Sequence, residues 1–142
     1  LAGFQQGMRT DPLLQGTEQI GIGHSWGYQN LTSSEIYGAD YDKSISLSGA
    51  GMQEDWVPDA DTAYSNYVYG ADALHRTQNI PGGLVWDGNV PGKHDSFTQH
   101  KYYRPNRGTK LPDISMEDHS LIASDSADNA EALEDMYREV TE

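Results

Sequence analysis

A glycine-flanked serine, Gly23-His24-Ser25-Trp26-Gly27, follows directly on the short apolar run Ile20-Gly21-Ile22. A strand entering such a segment turns sharply and continues as a helix. The glycines two residues either side of the serine are expected to matter because a side chain there would collide with the packed strand or helix. The serine hydroxyl is then left at the carboxyl edge of a sheet, where a substrate carbonyl can reach it. This junction points to an α/β chain, a three-layer arrangement of a mostly parallel sheet flanked by helices.

The surrounding pattern agrees with that layout. Glu18 to Ile22 is the expected first strand, and Trp26 to about Tyr37 the helix behind the turn, ended by Gly38. The middle of that helix, Gln29 to Glu35, is polar for a segment packed on a sheet. Lys43 to Leu47 reads as a second strand closed by Ser48-Gly49-Ala50-Gly51, and Asn66 to Tyr69 as a third closed by Gly70-Ala71-Asp72. Both turns fall on one edge of a parallel sheet, the edge where sites assemble. Ile80 to Pro112 carries Pro and Gly breakers throughout and reads as loop, with Trp86 and Phe97 expected in the core. A last helix capped by Ser126 should cover one sheet face through Ala130, Leu133, Tyr137 and Val140.

Before the first strand, Leu1, Phe4 and Met8 are spaced along one side of a helix that ends at Asp11-Pro12. A chain that opens inside a helix is expected to be a fragment or a processed product, here the carboxyl-terminal part of one domain spanning residues 1–142.

Charge narrows the partners. A net charge of −13 is unsuited to a phosphate backbone, so nucleic acid is not an expected partner. No run approaches the ~18 apolar residues of a membrane span. The absence of cysteine removes disulfides and thiolate metal sites. Lys93, Lys101, Arg104, Arg107 and Lys110 lie in a segment whose one acid is Asp95, whereas Glu117 to Glu142 holds nine acids and one base, Arg138. Two readings follow: surface ion pairs between the segments, or an anion-binding rim. Localisation and oligomeric state leave no mark on the sequence.

A serine hydroxyl becomes a useful nucleophile only when a base takes its proton, and that base must be held in the right tautomer by a carboxylate. After a strand-turn-helix serine, the acid and then the histidine are expected in that chain order. Asp72 directly follows a strand and suits the acid, with Asp87 and Asp95 behind it and a helix cap or turn carboxylate as its rival role. His119, expected in a loop before the last helix, suits the base ahead of His75, His94 and His100. His24 is expected to shape the turn. The Trp26 N–H is the expected oxyanion donor, and no strand and loop before Gly23 offer a second. A metal at His94, Asp95 and His100 matches no zinc spacing, and no phosphate-cradling glycine loop is present.

These residues give the chain a resemblance to the alpha/beta hydrolases, closest to the actinobacterial-type hydrolase family formerly filed as a domain of unknown function. The resemblance is carried by Phe4-Gln5-Gln6-Gly7-Met8-Arg9, Ile22-Gly23-His24-Ser25-Trp26-Gly27, Leu47-Ser48-Gly49-Ala50-Gly51 and Asp118-His119-Ser120. It implies a catalytic Ser25, Asp72 and His119 and a small-molecule ester or acyl substrate, with no cofactor. Trp26 stands where that family usually has Tyr, and the post-turn helix is more polar than the family's. The expected activity is ester hydrolysis; the alternatives are a non-catalytic binding module of the same fold and an acyltransferase using the same residues.

Overall fold

In a computed structural model, which describes residues 1–80, 88–104 and 114–142, the sheet is entirely parallel, with four strands in the order β1-β2-β3-β4. The strands are β1 (Ile20–His24), β2 (Lys43–Leu47), β3 (Ala63–Tyr69) and β4 (Phe97–Tyr102). The helices are α1 (Ala2–Thr10), α2 (Trp26–Ile36), α3 (Ala73–Gln78), α4 (Met116–Leu121) and α5 (Ala130–Thr141), with short 3-10 turns at Pro91–Lys93 and Ala127–Asn129. Among the described residues no helix is long and apolar enough to cross a membrane. Trp86 and Asp87 lie outside the described residues, as do Arg107 and Lys110.

Alternation along the strands splits the sheet into two faces. Tyr64 of β3 and Phe97 of β4 join Tyr28 and Leu31 of α2, with Trp56, in one apolar cluster. Ile45, Leu47, Tyr67, Tyr69 and Tyr102 look the other way and pack with Leu121, Ile122 and α5. The polar centre of α2 is accommodated by its own backbone. Thr32 Oγ1 donates to the Tyr28 carbonyl at 3.2 Å and Ser34 Oγ to the Leu31 carbonyl at 2.6 Å, so both hydroxyls are buried without an orphaned donor. Gly38, at φ +89°, follows the helix end as expected.

Several expectations need correction. The first strand begins later than Glu18, because the Gln19 N–H is taken by the Asp42 carboxylate at 2.6 Å. The third strand reaches back to Ala63. The Ile80 to Pro112 segment contains β4, an edge strand whose buried positions are its two ends, Phe97 and Tyr102. Helix α1 docks by its polar side: Phe4 is 69% exposed, whereas Gln5 is buried and donates to the Asp40 carbonyl while accepting from the Asp40 N–H at 3.1 Å. In α5 the sheet-facing residues are Ala132, Met136 and Val140, and Ala130, Leu133 and Tyr137 point outward. Glu139 and Asp135 share the inward face because tyrosines await them. Tyr67 and Ser65 donate to the Glu139 carboxylate, and Tyr102 to Asp135 at 2.7 Å.

Candidate active site

β1 ends at His24 and α2 begins at Trp26, so Ser25 alone makes the turn. It adopts φ 53° and ψ −125°, a conformation that costs a non-glycine residue of order 1–3 kcal/mol and persists where its surroundings hold it. Those surroundings are explicit: the Ser25 N–H donates to the Leu47 carbonyl at 3.1 Å, and its carbonyl accepts from Tyr28 N–H at 3.1 Å and Ala50 N–H at 2.9 Å. A Cβ on Gly23 would lie 2.5 Å from Tyr28 Cα, so strand and helix pass too closely for any side chain. Gly27 has open space around its Cβ position, which corrects the expectation that both flanking glycines are sterically required.

Two further turns converge on this one. β3 runs out through Gly70 and Ala71 to Asp72, which is fully buried and forms an isolated bridge with Ser115. The Ala73 N–H donates to the Ser115 carbonyl at 3.1 Å and the Ser115 N–H to the Ala71 carbonyl at 2.8 Å. Ser115 in turn caps α4, its hydroxyl accepting from the Asp118 N–H at 3.1 Å. The same few residues therefore fix both the acid turn and the start of the helix that carries His119. His119 lies within α4, not in a loop as expected, because the cap at Ser115 lets a helix start there.

The consequence is a continuous hydrogen-bonded line. His119 Nε2 is 2.9 Å from Ser25 Oγ, and His119 Nδ1 is 3.0 Å from Asp72 Oδ2 and 3.1 Å from Oδ1. Asp72 Oδ1 also accepts from the Leu74 N–H at 2.7 Å and the His75 N–H at 3.2 Å, capping α3. The cap and the imidazole-facing role, rivals in the sequence, are both filled by the one carboxylate. Burial would raise the Asp72 carboxyl. Burial is the largest single influence, but the His119 contact and charge, the nearby Ser48 hydroxyl and the His75 N–H together outweigh it, and the carboxyl lies below its ordinary 3.8. His24 donates from Nε2 to the His119 carbonyl at 2.8 Å, and the two rings lie 4.9 Å apart, so the turn residue also braces the helix that carries His119.

The competing residues lie elsewhere. His94 packs edge-on against Trp56, His100 stacks on Tyr67 at 4.3 Å on the other sheet face, and His75 lies in α3. His94 and His100 therefore face opposite sides of the sheet and do not share a ligand. Asp95 is exposed. Trp26, whose N–H begins α2, is 61% exposed as a residue. Ser115, which ties the Asp72 turn to the helix carrying His119, is not among the residues expected from sequence; the Ser-x-x-Asp spacing of Ser115 and Asp118 is the signal for it. Comparison with known protein families, curated proteins and solved structures gives no match for this chain.

Proposed function

We propose that this chain is a serine hydrolase of alpha/beta hydrolase type that cleaves a carboxylic ester. The observation that carries the reading is the line Ser25–His119–Asp72, with contacts of 2.9 and 3.0 Å, anchored on a serine held at positive φ. Ordinary turn serines do not combine a strained backbone with a histidine and a buried carboxylate in series.

In the proposed reaction Ser25 Oγ attacks the ester carbonyl carbon while its proton passes to His119 Nε2. The negative charge that gathers on the former carbonyl oxygen is met by the Trp26 N–H at the start of α2, where the helix dipole has the same favourable sign. Collapse of this intermediate breaks the ester C–O bond, and the alcohol leaves with the proton from His119. Water then attacks the acyl-serine, gives a proton to His119, and the acid departs as Ser25 recovers its own. Throughout, Asp72 accepts from His119 Nδ1–H, which leaves Nε2 as the basic nitrogen and favours the imidazolium when it forms. A carboxyl below its ordinary value is suited to this, because it stays charged at any pH where the imidazole can act as a base.

A fluorophosphonate probe, together with hydrolysis of short-chain nitrophenyl esters, tests the reading. The intact protein is expected to label at Ser25 and Ser25→Ala to lose both labelling and turnover, a fall of up to about 10⁶-fold in kcat. Labelling that persists unchanged in Ser25→Ala, or an intact protein that never labels, overturns it. New acylated products in the presence of an added alcohol or amine would convert hydrolysis into transfer by the same residues.

A further inference from the structure

The basic segment that begins at Lys93 contributes nothing to the line described above, and its described members fall into two groups. Arg104 pairs with Glu117 at 3.3 Å and with buried Asp118 at 2.9 Å, and Lys93 Nζ donates to the Gln78 carbonyl at 2.6 Å. Lys101 has no carboxylate partner among the described residues; its Nζ lies 5.8 Å from the centre of the Tyr103 ring. It lies on β4 at the side of a cleft of about 340 Å³ lined also by Val68, Gly70, His75, Arg76 and Gln99. Gly70 lets the Tyr103 ring and the Lys101 stem pack close to the backbone there: a Cβ would lie 2.5 Å from Tyr103 Cε1 and 3.1 Å from Lys101 Cε.

No carboxylate lines this cleft among the described residues. Arg76 and Lys101 converge there with His75, although the chain as a whole has 22 acids against 9 bases. Like charges brought together repel unless something of opposite sign sits between them. The carboxylate acting on His75, Asp72, is occupied by His119 and by the first N–H groups of α3. His75 registers the crowding: burial first, then Lys101, with smaller contributions from Arg76 and Lys93, holds its imidazole below the ordinary value against the pull of Asp72. Two amides also line the cleft, and both are engaged: Gln99 donates to the Pro91 carbonyl at 2.8 Å, and Asn79 Nδ2 donates to the His75 carbonyl at 2.6 Å and lies 3.3 Å from His75 Nε2, which leaves Arg76 and Lys101 as the charged donors.

We propose that this cleft binds a doubly charged tetrahedral oxyanion, a phosphate group, with Arg76 forking onto two of its oxygens, Lys101 as a point charge and His75 as a third donor. A lone carboxylate would leave one of the two cations, Arg76 and Lys101, uncompensated, whereas a phosphate offers both the second charge and acceptors in more than one plane. The register aligns Lys101 with Val68, one residue beyond the row His24, Leu47, Tyr67 and His100, and so level with Ser25. At about 4.8 Å per strand it stands roughly 14 Å across the sheet from Ser25, a site apart from the ester chemistry. Asp72 caps α3, the helix that carries His75 and Arg76.

Imidazole NMR of the intact chain, titrated with inorganic phosphate at constant ionic strength, tests the proposal independently of any esterase activity. The His75 resonances are expected to move saturably and to titrate at higher pH once the anion is bound. Arg76→Gln combined with Lys101→Gln, both at exposed positions, should weaken phosphate at least about tenfold while leaving the unliganded His24 and His119 signals in place. Phenyl phosphate binding more tightly than the free ion would assign the site to an esterified phosphate, and the reverse order to inorganic phosphate. An equal response to acetate or chloride, or a response that survives in the double variant, would show simple screening and overturn the proposal.

Discussion

Two carboxyl groups at opposite ends of the sheet are each hydrogen-bonded within the fold, and they end in opposite states. Asp72, at the carboxyl edge, is buried and lies below its ordinary 3.8, whereas Glu35, near the end of α2, is pushed up from 4.5 to about 7. Burial raises both. The difference lies in the donors: Asp72 faces two backbone N–H groups at a helix start and an imidazole that can carry charge. Glu35 receives neutral donors, Trp56 Nε1–H at 2.6 Å and the Tyr64 hydroxyl at 3.3 Å, which do not offset its lost hydration, and Asp59 adds repulsion. Desolvation sets the direction unless charge-capable donors answer it.

Their contributions to stability therefore run in opposite directions with pH. Asp72 binds protons less tightly folded than unfolded, so its contribution is present above 3.8 and is lost as pH falls through its lower folded value. Glu35 binds its proton more tightly in the folded state; its contribution is full below 4.5, falls as pH rises, and is gone above about 7.

The largest test of the comparison removes the charge from Asp72 and keeps its shape. Asn caps helices as well as Asp does, so Asp72→Asn should preserve α3 and the fold. An amide facing His119 Nδ1 favours the wrong tautomer, and nitrophenyl ester turnover should fall about 10⁴-fold. A variant that folds normally and loses less than tenfold would show that the carboxylate's charge is not what matters there.

Next in size is Glu35→Gln. Its amide oxygen accepts from Trp56 and its NH₂ donates to the Tyr64 hydroxyl, so the packing survives without a titrating group. Urea unfolding at pH 5 and pH 8 should show the wild type losing roughly 2 kcal/mol more than the variant over that interval, after allowance for the partial exposure of Glu35. A difference that does not change with pH would mean Glu35 is ionised in both states.

How much of this was legible beforehand follows from where polar groups sit. The serine turn was readable because strand and helix pass within contact of one another at Gly23, and only glycine fits. Asp72 and His119 followed from chain order, and β2 from an apolar and serine alternation whose hydroxyls are paired inside, as in Ser46 Oγ to Asn66 at 2.8 Å. What was misread is what polar side chains do inside the fold. Hydrophobic spacing alone turns the wrong side of α5 inward, because Tyr67 and Tyr102 point hydroxyls at the helix and Glu139 and Asp135 belong to the inward face. β4 was hidden because Thr98, Gln99 and Lys101 are exposed on an edge strand, and α1 because Gln5, not Phe4, is its anchor. Glu35 itself stood out only as one more polar residue in a helix, since its partners Trp56 and Tyr64 come from outside that helix.

The finest test trims one donor from Glu35 with the smallest change in volume. Tyr64→Phe deletes the hydroxyl that donates to Glu35 at 3.3 Å and accepts from the Asp59 N–H at 3.0 Å. The bond to the carboxylate is at the long end of the range, so its loss should be modest. With one fewer group favouring the charged form, the Glu35 carboxyl is expected to titrate about half a pH unit higher, as read from its side-chain carbon chemical shift. The stability lost on raising pH would then be centred correspondingly higher. If the midpoint instead falls, water has entered beside Glu35 and hydration has replaced the missing donor, which would make desolvation at this position a property of the Tyr64 packing and not of the helix end itself.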